Sequence, residues 1–142
     1  MNNEKIAQLH AFLNALIPGT ELGTDEHGNL IDVSRDPYLS RIIDGGELFN
    51  LRIPGAVEKA FLCEKAAGRC HENVANIILS NENPLDRLFT GFALSDSDEW
   101  FTHSFIVNDG GIVESGEGLF QAYVGIELKD GDRELFLTEW AS

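Results

Sequence analysis

An α+β fold, with N-terminal helices packed on a C-terminal antiparallel β-sheet, is what this sequence predicts. Two patterns predict it. Apolar residues recur at helical spacing in the first half of the chain and alternate after Arg87, and Asn108-Asp109-Gly110-Gly111 and Lys129-Asp130-Gly131-Asp132 read as hairpin turns. The 142 residues, 43% of them hydrophobic, suffice for one domain that closes its own core. No linker, repeat or low-complexity run marks a second. Residues 1–142 therefore read as a single domain, with 1–52 a variable helix and loop region and 53–142 a core of helix and sheet.

Between Glu4 and Ile17, the residues Ile6, Leu9, Leu13 and Leu16 form one apolar face, which predicts a helix ended by Pro18-Gly19. Thr20 to Asp36 is rich in Gly, Asp and Asn and predicts a loop, with a short strand around Leu30 to Val33. Pro37 to Ile43 predicts a short helix stopped at Gly45-Gly46. Pro54 suits a first helical turn, so a helix through Val57, Ala60, Phe61 and Ala66 is expected to end near Gly68. A further helix begins at Cys70, with Val74, Ile77 and Ile78 inward, and ends before Asn83-Pro84. Strands are predicted at Arg87–Leu94, Trp100–Val107, Gly111–Glu114, Phe120–Leu128 and Arg133–Trp140.

The formal net charge is -14, and the acids are spread along the chain, densest at Asp96, Asp98 and Glu99. Such a field repels nucleic acid and anionic membranes and favours basic partners. Met1-Asn2-Asn3-Glu4-Lys5 has no secretory character and no apolar run approaches bilayer length, so a cytoplasmic protein without membrane contact is expected. Cys63 and Cys70 would lie about 10 Å apart on one helix, beyond disulfide reach, and read as reduced thiols.

Chemistry concentrates in Gly68-Arg69-Cys70-His71-Glu72-Asn73-Val74, in Trp100 to Phe105 and in Gly111 to Glu114. A corner at Gly68 leaves Cys70 at a helix N-terminus, where unpaired N–H groups and the positive dipole end stabilise a thiolate. Strand alternation places Phe101, His103, Phe105 and Val107 on one face, so His103 is a polar residue among core neighbours that needs a partner. Glu114 closes the strand joined to the His103 strand by a tight turn. Together they read as nucleophile, base and orienting acid, Cys70, His103 and Glu114. Taken singly, each has a plain structural reading: Cys70 as a small core residue, His103 as a buried imidazole on a carbonyl, Glu114 as an exposed strand end. The Cys70 N–H with a side-chain amide from Asn73 or Gln121 is the expected oxyanion-binding pair. A zinc reading of Cys63, Cys70, His71 and His103 fits no compact ligand spacing, so neither metal nor cofactor is expected.

At these residues the chain resembles the papain-like cysteine hydrolases in the broad sense, including small transglutaminase-like and cell-wall-amidase-like members. The order Cys70, His103, Glu114 is similar to that family's helix-borne Cys, strand-borne His and polar residue on the next strand. The resemblance covers roughly Gly68 to Leu128. It implies a papain-like arrangement and a hydrolase or acyltransferase acting on an amide or thioester, with peptide, isopeptide or peptidoglycan-fragment amides as substrates. The acidic field favours a basic peptide or protein. His71 stands where many members carry Trp, Tyr or a small residue, and no Gln precedes Cys70 as an oxyanion donor. The contrasting expectation is a non-catalytic acidic interaction or inhibitor protein on the same scaffold, binding a basic partner or mimicking nucleic acid.

Overall fold

A computed structural model describes residues 3–24, 36–53, 59–62, 70–81, 85–108, 111–115 and 119–141. In chain order these form α1 (Asn3–Leu16), β1 (Glu21–Leu22), α2 (Leu39–Gly45), β2 (Glu47–Asn50), β3 (Lys59–Leu62), α3 (Cys70–Asn81), β4 (Arg87–Leu94), β5 (Glu99–Asn108), β6 (Gly111–Glu114), β7 (Ala122–Glu127) and α4 (Asp130–Trp140). Six strands run in the order β2-β7-β4-β5-β6-β3, and the two-residue β1 joins beside β5. No described helix is long and apolar enough to cross a membrane.

The fold is α+β as expected, but the sheet is mixed. β3 runs parallel to β6 and β1 parallel to β5, while the remaining pairs are antiparallel. Lys59–Leu62 is therefore a strand where the sequence predicts helix, because β6 offers it a free edge, and pairing overrides a local preference in so short a segment. Glu47–Asn50, expected in no element, is a strand for the same reason, bonded along β7. The expected strand at Leu30 to Val33 lies outside the described residues, as does Cys63.

Arg133–Trp140 is the other correction. Lys129-Asp130-Gly131-Asp132 does not turn a hairpin but opens α4, with Asp130 at φ 51° and Asp130 and Asp132 as acids at the helix N-terminus. Leu135 and Leu137 suggest alternation. Phe136 and Trp140, four residues apart, are the spacing that decides, because Phe136 is buried against α3 and the Trp140 ring meets His71.

Sheet register assigns the two faces. Even-numbered β4, β5 and β7 residues, among them Leu88, Phe92, Leu94, Trp100, Ile106, Ala122 and Val124, pack under the four described helices in two clusters. Leu9, Leu13, Leu39 and Ile42 cover one half; Val74, Ala75, Ile78 and Phe136 cover the other. Trp100 ties the first half together, since its indole N–H donates to Thr20 Oγ1 at 2.9 Å and Thr20 donates to Ile17 O. The opposite face carries Phe89, Ala93, Phe105, Val107, Ile112 and Tyr123, with Phe49, Leu51 and Phe120 packed against them. His103 and Glu114 belong to this second face.

Gly91 of β4 lies directly between His103 on β5 and Gly125 on β7. A Cβ there would overlap the Val124 carbonyl oxygen. Gly91→Ala is expected to destabilise the protein by about 2 kcal/mol or more in urea unfolding, whereas Gly45→Ala, which would meet open space on α2, should change stability by less than about 1 kcal/mol.

Candidate active site

Cys70 is the first residue of α3, a twelve-residue helix whose buried stripe of Val74, Ile77 and Ile78 fixes it on the sheet beside β5. The β5 edge facing away from β4 is shared. β1 pairs with Glu99 and Trp100, β6 pairs with Ile106 to Asn108, and Ser104 lies between the two. Trp100 O accepts from Gly23 N across this edge, so the backbone groups of even-numbered β5 residues point toward it. The Ser104 N–H accordingly donates to the half-buried Cys70 thiol, as does the N–H of His71 in the first turn of α3.

His103 hydrogen-bonds the same thiol. Its Nε2 lies 2.7 Å from Glu114 Oε1, which leaves Nδ1 as the ring nitrogen for Cys70. Glu114 is fully buried, His103 is 6% exposed, and the Tyr123 hydroxyl donates to the same Oε1 at 2.7 Å. The relay thus runs Cys70, His103, Glu114, Tyr123. Phe120 lies over the imidazole at 4.9 Å between centroids, and the Phe120 N–H donates to Tyr123 Oη.

Electrostatics separates the groups. Burial alone would push the Cys70 thiol up, but the hydrogen bond and positive charge of His103, with the Ser104 and His71 N–H groups, outweigh it and hold the thiol below its ordinary value. Burial alone would push His103 down. Hydrogen bonds to Cys70 and Glu114, and the negative charges of both, instead raise it to about 9. Burial, then the charge of Glu114, raises the Tyr123 phenol and keeps it a neutral donor. His71 goes the opposite way: burial and the nearby His103 charge bring it down to about 4. Two histidines thus flank the thiol in different charge states at neutral pH.

Cys70, His103 and Glu114 are brought together. Asn73 is buried one turn into α3, on the helix that carries the thiol. Gln121 is not in the site: its amide donates to Ser95 O and to Asp98 Oδ1 and braces the β4–β5 turn, which removes it as an oxyanion donor. Asn108 donates to Asp86, away from the imidazole. Of the four candidate zinc ligands, Cys63 lies outside the described residues. His71 Nδ1 meets Ser104 Oγ at 2.5 Å on the helix-covered face, while His103 lies on the other; among the described residues no group of three or more His, Cys, Asp or Glu could hold a metal.

Tyr123 and the Ser104 N–H were not legible in the sequence. Tyr123 sits on β7, separated from Glu114 by β4 and β5, and reaches across because the residues beneath it, Ala93 and Gly91, lack bulk. An alternating strand pattern marks Tyr123 as inward-facing; the small pair on β4 was the available hint. Compared with protein-family models, with curated proteins and with solved structures, the chain matches none.

The charge states can be checked directly. In histidine NMR titrations, His103 should titrate near 9 and His71 near 4, and Glu114→Gln should lower the His103 midpoint by about one unit or more. The interactions that raise His103 stabilise the fold fully below its ordinary value of 6.5 and are lost as pH rises through about 9. A His103 midpoint at 6.5 in the parent chain would contradict the buried charge relay.

Proposed function

We propose that this protein is a cysteine-nucleophile hydrolase or acyltransferase acting on an amide or thioester carbonyl. The observation that carries the reading is the buried line of hydrogen bonds from Cys70 through His103 and Glu114 to Tyr123, with the thiol lowered and the imidazole raised. A salt bridge would serve packing poorly at this depth, since an apolar pair of similar shape is often as stable. A depressed thiol beside a raised imidazole is what nucleophilic sulfur chemistry requires.

In the proposed reaction Cys70 Sγ attacks the carbonyl carbon, and the C–S bond forms as the carbonyl π pair moves onto oxygen. The Cys70 N–H, one of the helix N-terminal donors without an intrahelical partner, and the Asn73 amide are the candidate groups for that oxyanion. As the oxyanion collapses, the C–N bond breaks and His103 Nδ1–H protonates the departing amine. A thioester substrate would release a thiol at the same step. Water, or an acceptor amine, then attacks the acyl-enzyme and gives its proton to His103, and the Cys70 thiolate leaves. Glu114 holds Nε2–H throughout, so Nδ1 stays aimed at sulfur and the imidazolium is stabilised. Tyr123 holds Glu114 in turn. A basic peptide suits the net charge of -14.

Alkylation of Cys70 by iodoacetamide, with Cys63→Ser in every sample, tests this reading. Rapid labelling well below the free-thiol pKa of about 8.5 is expected in the parent and should disappear in His103→Ala. With a substrate in hand, Cys70→Ala and His103→Ala should each lower turnover by about 10³-fold or more, Cys70→Ala with unchanged circular dichroism and His103→Ala with lowered stability as well, because it leaves Glu114 buried without its cation. Turnover should also fall as pH rises through about 9, where His103 loses the proton it gives to the leaving group, whereas alkylation should not. An ordinary thiol profile, insensitive to His103, would sink the enzyme reading and favour the acidic interaction protein.

A further inference from the structure

The helix-covered face of the sheet holds a cavity of about 490 Å³. That size suits one extended side chain or small ligand. Thr90 and Thr102 of the sheet, Tyr38 at the start of α2, and Glu139 and Trp140 of α4 line it. It adjoins the candidate site through two residues. His71 follows Cys70 and Thr102 precedes His103, while the Cys70 and His103 side chains are not among its lining. The cavity therefore borders the start of α3, the helix that carries the thiol.

Its walls have a definite charge. Asp36, Asp132 and Glu139 line it, and among the described lining residues Arg41 is the one fixed cation. Arg41 is matched by Asp132 at 3.0 Å, and His71, lowered to about 4, supplies no compensating charge at neutral pH. Asp36 and Glu139 remain in excess. Burial raises the Asp36 carboxyl although the Tyr38 N–H donates to it at 2.9 Å; burial first, then the charges of Asp132, Glu139 and Asp36, raise the Tyr38 phenol against the opposing charge of Arg41.

The aromatic walls add a second preference for cations. The Arg41 guanidinium already lies 5.5 Å from the Tyr38 ring centre. Trp140, 39% exposed, lies tilted to the His71 ring at 4.8 Å between centroids, and His71 is itself held by Ser104 Oγ. An anion would meet two surplus carboxylates. A neutral apolar chain would remove water from them and return nothing.

We propose that this cavity is a substrate side-chain subsite that takes a lysine- or arginine-type cation, which makes basic peptides or basic protein segments the preferred acyl substrates. The proposal rests on the enzyme reading above, so its test separates binding from turnover. In the Cys70→Ala chain, Nα-acetyl-lysine methylamide is titrated while the Trp140 indole and His71 ring resonances are followed by NMR. The norleucine and glutamate counterparts are run beside it. The lysine probe should shift both resonances with an affinity at least about tenfold above norleucine, fall with added salt, and weaken several-fold in Asp36→Asn and in Glu139→Gln; the glutamate probe should not bind. Equal affinity for lysine and norleucine, or no shift at Trp140 and His71, would overturn the proposal. Selective lysine binding in a chain whose parent Cys70 alkylates as an ordinary thiol would overturn its role as a substrate subsite while leaving the cation site standing.

Discussion

A carboxylate with no solvent exposure needs a charged partner, and in this protein Glu114 has His103. The requirement shapes everything near it. Against the cost of burial, hydrogen bonds to Cys70 and Glu114 and the charges of both raise His103 to about 9, and its remaining ring nitrogen then presents a positive charge to Cys70. Tyr123 takes a place on the same carboxylate oxygen and, as a neutral phenol, adds a donor without adding charge. The buried acid thereby orients the imidazole, which together with the Ser104 and His71 N–H groups lowers the thiol.

The sheet makes that arrangement geometrically available. β5 is ten residues long, and its outer edge is covered by β1 at one end and β6 at the other. Ser104, between them, offers its N–H to sulfur, while the neighbouring His103 projects from the face opposite the helices. The start of α3 therefore reaches an imidazole that its own packing face never touches. Gly91 and Ala93 then let Tyr123 cross β4. Bulk at either position would separate the phenol from Glu114.

The two histidines illustrate how adjacent chemistry is divided. His71 and His103 lie on opposite faces of the sheet, one joined to Ser104 Oγ and an aromatic wall, the other to a carboxylate. Partners, more than depth, decide their charge, since burial pushes both downward and only His103 has anions to reverse it. At neutral pH His71 therefore adds no positive charge to the cavity it lines.

The sequence by itself determined the local elements with strong patterns. α1 follows from the Ile6, Leu9, Leu13 spacing, α3 from its start at Cys70, and the β5–β6 hairpin from alternation around Asn108-Asp109-Gly110-Gly111. Cys70, His103 and Glu114 were legible because element order and strand alternation together placed them within reach. Tertiary structure alone decided what depends on distant partners. Lys59–Leu62 became a strand because β6 had an edge to pair, and Arg133–Trp140 a helix because Phe136 and Trp140 had α3 to pack on. Gln121 left the site for the β4–β5 turn, and Tyr123 entered it from two strands away. Periodicity reports which face a residue shows; only the assembled sheet settles what that face meets.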